Sequence, residues 1–206
     1  MYFTIVPFLV HLATYWTSSA FFLCLDIMYL DKEHPNWMKY MDAIKISCIN
    51  QFTIGLPTLF FLENHIINAT KKSTNDTIVV TLIKIFLIVN LANLFFYWCH
   101  RLLHTRFLYN TIHYKHHEFI EPVAVAALYA HPIEHLFANT LSFIIPFILI
   151  GTTYNIMLCL IAAGTFVTTL GHAMYEDGSH LVHHRLYKYN FGFGGYLDKI
   201  FNTYKK

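Results

Sequence analysis

The chain is short of charge. Asp, Glu, Lys and Arg make up only 13% of its 206 residues, too few to keep the surface of a soluble domain of this length wet. It has no basic stripe, and a formal net charge of +2 offers a polyanion little to hold, so nucleic acid is set aside as a partner. Its four cysteines, Cys24, Cys48, Cys99 and Cys159, stand singly, without a CxxC pair or a framework spacing, and read as small buried hydrophobes. HExxH is missing, which weakens the case for a zinc-dependent membrane hydrolase. A low-complexity tract and a linker long enough to split the chain are missing too.

Apolar residues fill the space that charge leaves: 56% of the chain is hydrophobic and 17% aromatic. A membrane span needs about 20 mostly apolar residues, and residues 2–25, 43–62 and 77–99 qualify. The first of these lacks a basic flank and is too long for a leader's apolar core, so it reads as a span. Residues 136–150 and 156–171 are shorter, divided by GTTYN, and read as a hairpin entering most of the bilayer and turning back. Pro57 and Pro146 are expected to kink their helices. The expected fold is therefore all-α: an integral membrane helical bundle of about three full spans plus a short transmembrane hairpin. A histidine-rich helical cap completes it on one side.

Lysine and arginine assign the sides. Lys32, Lys39, Lys45, Arg101, Arg106, Lys115, Arg185, Lys188, Lys199, Lys205 and Lys206 fall on the histidine side, and only Lys71 and Lys72 fall opposite. The positive-inside rule makes the histidine side cytosolic. Two N-x-T sequons, at Asn68 and Asn75, suit a lumenal loop at the other end.

Fourteen histidines are present, and the spacing of most of them is not random. In HRLLH, His100 and His104 share a helix face. In HYKHH, His113, His116 and His117 lie at i, i+3 and i+4, again on one face of a helix, and SHLVHH repeats the spacing with His180, His183 and His184. Such arrays give a metal several neutral nitrogen donors. Eight donors exceed what one tetrahedral zinc takes, which points to two ions a few ångströms apart, while imidazole alone does not choose between zinc, copper, iron and nickel. His11, His34 and His65 lie outside the cluster and read as ordinary satisfied polar residues.

Ordered motifs carry a resemblance: YWCHRLLH, LYNTIHYKHHEF, YAHPIEH, GHAMYE and HLVHHRLYKYNFGFGGYLDKIFNT, from about Phe95 to Thr203. The sequence resembles the fatty acid hydroxylase and sterol desaturase superfamily of membrane-bound histidine-box enzymes. The resemblance implies an O2-dependent oxidoreductase with a non-haem centre of two iron ions, which hydroxylates or desaturates a C–H bond of a lipid. It divides the chain into N-terminal transmembrane helices, 1–94, and a hydroxylase-like di-metal domain, 95–206. It matches the eight box histidines to metal ligands, adds His172 of GHAMYE, and adds His131 of the AHPIE segment as a tenth ligand or a donor just behind the ligands. Glu134 and Glu176 are the acids expected to orient ligand rings, with Glu118, Glu121 and Asp177 near enough in sequence to take part.

Two departures stand out. Glu176 occupies a position where fatty acyl hydroxylases carry histidine, which leans toward the sterol-type pattern, and Asn202 stands where the family commonly has glycine. The resemblance further implies an apolar substrate, the endoplasmic reticulum membrane, and a separate electron donor of cytochrome b5 or reductase type acting in trans. Zinc can take the place of iron in a purified sample. The rival from a different class is a transporter or carrier of divalent metal, but transit ligands belong near the midplane, and only Lys84 lies well inside a span.

Overall fold

The computed structural model describes residues 2–29, 36–173 and 178–206. Every regular element among them is helical: α1 Tyr2–Tyr29, α2 Trp37–Asn50, α3 Leu56–Lys71, α4 Ile78–Leu103, α5 Arg106–Thr111, α6 Pro132–Glu134, α7 Ser142–Ile150, α8 Tyr154–His172, α9 Ser179–Leu186 and α10 Tyr196–Ile200. A π-helical segment, Gln51–Gly55, joins α2 to α3, and a second, His135–Leu141, joins α6 to α7. Two 3₁₀ segments, His113–Glu118 and Ala124–Leu128, lie between α5 and α6.

Among the described residues, four helical runs are long and apolar enough to cross a membrane: Phe3–Met28, Ile78–Leu103, Pro132–Ile150 and Tyr154–His172. At 1.5 Å per residue the two 19-residue runs reach about 28 Å, close to the hydrocarbon thickness of about 30 Å. The expected hairpin is therefore longer than the sequence implied, because the first run starts at Pro132, ahead of its apolar stretch. The expected span 43–62 lies in the helical run from α2 to α3, which is not among the four. Asn50, Gln51, Thr53 and Thr58 dilute its apolar character.

Large side chains that a soluble protein would hide stand outward on α4, among them Ile78, Leu82, Phe86 and Val89. Lipid is the solvent such a face needs. Cys24 and Cys159 are exposed on these outer faces, and Cys48 and Cys99 are half-buried, so none is the buried hydrophobe the sequence suggested. Polar groups inside the bundle pair across helices, as they must where water is absent. Ser18 and Thr169 hydroxyls lie 2.8 Å apart, and the Tyr15 hydroxyl lies 2.7 Å from the Val125 carbonyl and 3.0 Å from Ser47. Asn50 Nδ2 donates to the carbonyls of Leu128 (3.0 Å) and Ala130 (2.9 Å), which holds the buried Ala124–Leu128 segment over the bundle.

The connections end where the sequence places them. At one end Thr4 donates to Glu63 at 2.8 Å, Phe3 meets Tyr154, and a side chain at Gly151 would press on the Ala69 carbonyl. At the other end, Lys39 at the start of α2 donates to the Glu118 carbonyl beside the second histidine box. The boundary expected near residue 94 falls inside the unbroken α4, and Tyr40 and Ala43 pack with Phe119, Val125 and Tyr129 in one core.

Candidate metal centre

Nine histidines gather at the end of the bundle where α4 stops and α8 ends. Their ring nitrogens form two groups, each with its candidate ligand atoms within 4.8 Å of one another: His100, His104, His113, His117 and His183, and His116, His172, His180 and His184. Each HxxHH box is split between them. The outer pair of the second box, His113 and His117, joins the first group and His116 joins the other; in the third box His180 and His184 join the second group and His183 the first.

The expected α-helical face of HYKHH is replaced by a 3₁₀ segment with three residues per turn, which eclipses His113 and His116. Their rings lie stacked, 5.4 Å apart and 19° from parallel, and His180 and His183 on α9 repeat this at 5.4 Å and 17°. Two parallel rings thus send their nitrogens to different groups. The groups interleave closely, with the His117 and His184 centroids 4.6 Å apart.

Oxygen acceptors settle the tautomers. His100 Nδ1 lies 2.8 Å from the Phe191 carbonyl, His183 Nδ1 2.6 Å from Tyr189, His184 Nδ1 2.8 Å from Phe119, His172 Nδ1 2.9 Å from Thr168, and His116 Nδ1 3.3 Å from Tyr129. His113 Nδ1 lies 2.8 Å from Glu134 Oε2. A carbonyl only accepts, so the five Nδ1 atoms on carbonyls carry the proton and their Nε2 is left as a bare lone pair. Yet Nε2 atoms face one another: His172 and His116, both fixed by carbonyls, lie 3.2 Å apart, and His117 Nε2 lies 3.1 Å from His113, 3.2 Å from His183 and 3.3 Å from His104, where a single proton could serve one neighbour only. Converging lone pairs repel unless a cation lies between them. An ion about 2.1 Å from each nitrogen holds neighbours about 3.0 Å apart at right angles and about 3.4 Å apart in a tetrahedron. The donor set therefore fits two nitrogen-ligated metal ions.

Burial supports the same protonation state. Desolvation pushes His113 down to about 3 and holds His104, His116, His117, His180, His183 and His184 below the ordinary histidine value, with neighbouring rings adding to the effect in all six. All are neutral near pH 7, as a metal requires.

His131, expected as a tenth ligand or a donor just behind the ligands, lies in neither group, and its Nδ1 accepts from the Ile133 N–H at 3.2 Å and caps α6. Among the acids, Glu134 lies against a ring, its Oε2 2.8 Å from His113 Nδ1. Glu118 instead accepts from the Tyr129 hydroxyl at 2.6 Å, and Glu121 pairs with Arg185 at 3.3 Å on the surface. Glu176 and Asp177 lie outside the described residues, as does His34.

Sequence reasoning missed the main-chain carbonyls, which hold five of the rings, and the device that aims two of them. Asp198, fully buried, accepts from the backbone N–H groups of Phe191 (2.7 Å) and Gly192 (3.0 Å) and from the Thr203 hydroxyl (2.8 Å). Asn93 holds Phe193 at both its N–H and its carbonyl, and Asn190, at φ 59°, donates to Ser179 and Lys205. This turn presents the Tyr189 and Phe191 carbonyls to His183 and His100. The signal lay in the quoted C-terminal motif, whose asparagines and glycines were not tied to ligand orientation. Asn202, the departure from glycine, has φ 56°, a left-handed conformation that asparagine tolerates.

Two cavities adjoin the rings and share part of their walls. One of about 170 Å³ is lined by His100, His113, His116, His172 and His180 with Glu134 and Phe96. The other, about 620 Å³, runs through the bundle between Phe8, Ile66, Ile88, Phe147 and Met157. Asn139, Val167, Thr168, Phe193 and Gly194 line both.

Residues 85–203 match the fatty acid hydroxylase family. Among curated proteins, the chain is 29% identical over 174 residues to fatty acid hydroxylase domain-containing protein 2 of Homo sapiens, covering 81% of this chain and 52% of that protein. It is 27% identical to sphinganine C4-monooxygenase 2 of Arabidopsis thaliana over 98% of this chain and 86% of the relative. Fatty acid hydroxylase ahd1 of Mycosarcoma maydis is 34% identical over 53% of this chain and 30% of its own. The chain thus spans about half the length of its human relative and most of the Arabidopsis one. No solved structure matches.

Proposed function

The chain belongs to the fatty acid hydroxylase family, and from that premise we propose that it is a membrane-bound lipid oxygenase using two iron ions and dioxygen. The observation that carries the reading is the pair of interleaved histidine groups lining a small cavity that shares wall residues with an apolar cavity of about 620 Å³, a volume suited to a lipid tail. His100, His104, His113, His117 and His183 would hold one ion, and His116, His172, His180 and His184 the other. Bound iron supplies the activation of dioxygen and the removal of hydrogen from an unactivated C–H bond.

The chain's own residues do the rest. Backbone carbonyls hold five rings in one tautomer, so that their lone pairs point inward without rearrangement, and Glu134 lies 2.8 Å from a sixth ring, His113. Phe96 and Phe193, stacked at 4.2 Å, form part of a dry wall beside the rings. The larger cavity binds the hydrocarbon and excludes water from the path to the centre. In hydroxylation one oxygen atom enters the C–H bond and the other leaves as water; in desaturation two hydrogens leave and both oxygens become water. Either outcome consumes two electrons and two protons from a donor. That donor is a separate protein of cytochrome b5 or reductase type, acting on the cytosolic face of the endoplasmic reticulum.

A carrier of divalent metal is the weaker reading. Rings locked on carbonyls suit a resident ion better than one in transit, and Lys84 is tied up with Asp76 at 2.7 Å and Ser73 at 3.0 Å. The test is lipid profiling of cells expressing the protein under isotopically labelled dioxygen. Labelled oxygen in one lipid class, lost in His116→Ala, is the expected result for hydroxylation; a desaturase shows instead a new double bond that needs dioxygen and is lost in the same variant. A lipid profile identical to that of cells lacking the protein contradicts the proposal.

A further inference from the structure

A second polar group sits in the wall of the larger cavity, away from the nine histidines. His11 of α1, Gln51 and His135 all line it, and Gln51 and His135 are buried with 0% and 3% of their surface exposed. His11 Nδ1 lies 3.0 Å from the Thr165 hydroxyl, and its Nε2 lies 3.2 Å from Gln51 Nε2. Gln51 Oε1 and His135 Nδ1 have no hydrogen-bond partner. Turning the amide over changes which of its ends meets His11 but still leaves the other end unpaired. Buried polar atoms are normally satisfied, so two unpaired ones on one cavity wall require an explanation.

The backbone adds an independent sign. Gln51 opens one π-helical segment and His135 opens the other, and the two segments pack against each other. Pi-helical turns give up regular hydrogen bonding and recur at functional sites. Gly55, ending the first, leaves room beside His135: a side chain there would lie 3.7 Å from His135 Nε2. Along α8, Thr165 is seven residues from His172, about 10 Å along the axis, and Met157 lies beyond it on the other side. The polar group therefore stands between the apolar end of the cavity and the metal centre.

We infer that Gln51, His135 and His11 form a recognition site for a hydroxyl group carried by the lipid, which fixes where along the molecule oxidation falls. A hydroxyl both donates and accepts, so it can satisfy an amide end and an imidazole nitrogen together, and no hydrocarbon can. The inference rests on the lipid-oxygenase reading for its consequence, but the recognition itself needs no turnover. The substrate class becomes a hydroxyl-bearing lipid rather than a plain acyl chain.

The test is binding to the purified full chain in detergent, without a reductant. Hexadecan-1-ol and hexadecyl methyl ether differ in the donor hydrogen, and thermal shift titrations in the same micelle give their affinities. The alcohol is expected to bind about tenfold more tightly than the ether, and Gln51→Leu is expected to erase the preference while metal content stays unchanged. Where Gln51→Leu does not fold, His135→Phe is read in its place. Equal affinities in the unaltered protein overturn the inference, as does a folded variant that keeps the preference. Loss of preference without any lipid oxidation in cells leaves the recognition site standing and removes the oxygenase reading.

Discussion

Two groups of buried histidines occupy this bundle, and they are built differently. At the end where α4 stops and α8 ends, five of the nine rings have Nδ1 bound to a main-chain carbonyl, and a sixth, His113, meets Glu134 at 2.8 Å. In the cavity wall, His11 is paired through both nitrogens, while His135 keeps an unpaired Nδ1 beside a half-paired Gln51. The same residue type is thus fixed for a resident cation in one place and left open for a polar guest in the other. Orientation by an acceptor, more than burial or spacing, separates the two roles.

The sharpest way to break the comparison is to remove a ring from the centre. His183→Ala and His116→Ala should each lose about one ion and essentially all product formation, since each belongs to a different group. Both ions retained in either variant would merge the two groups into a looser cluster. Glu134→Ala removes only the acceptor of His113 and is expected to weaken metal affinity about 10–100-fold, read by competition with a chelator. Asp198→Ala acts one step further out, through the turn that presents the Tyr189 and Phe191 carbonyls. It should cost metal affinity less than Glu134→Ala but lower the thermal midpoint of the metal-free protein. Alanine at the cavity's Gln51 should leave metal content untouched, the contrast that separates the two groups.

The smallest expected effect is on pH. His113 titrates at about 3 in the folded chain because burial disfavours its charge, against about 6.5 when unfolded. A depressed folded value means that the unfolded chain takes up the proton first. Its contribution to stability is full above about pH 6.5 and is lost as pH falls toward 3. The thermal midpoint of metal-free protein should fall on acidification from pH 7 to 5. A midpoint that rises over this range would contradict the neutral-ring assignment.

Much of the histidine cluster was legible because its members are side chains with a readable spacing. The spacing of His100 with His104, and the two HxxHH boxes, named eight of the nine rings, and the GHAMYE motif supplied His172. The split of each box between two groups was not legible, because it depends on a 3₁₀ segment where helical spacing suggested an α-helix. The acceptors were mostly invisible for a simpler reason: any residue has a carbonyl, so Phe191, Tyr189, Phe119, Thr168 and Tyr129 carry no mark of the role. His131, marked by its motif as a ligand or a donor behind one, caps α6 outside both groups, while His11, read as a satisfied polar residue, is paired at both nitrogens and also lines the cavity. The bundle's spans followed from apolar runs, except where Asn50 and Gln51 interrupt the run from α2 to α3. Those two residues do their work inside the bundle.

Sidedness offers a separate check, since Asn68 and Asn75 are both exposed at the end opposite the rings. Glycan attachment there in a glycosylating host is expected if that end is lumenal; glycans on sequons engineered at the histidine end would reverse the orientation.

Anaerobic titration of the metal-free protein with ferrous iron tests the central claim most directly. Saturation at about two equivalents per chain, falling to about one in both His116→Ala and His183→Ala, is the result this account expects. Saturation at one equivalent in the unaltered protein would contradict it.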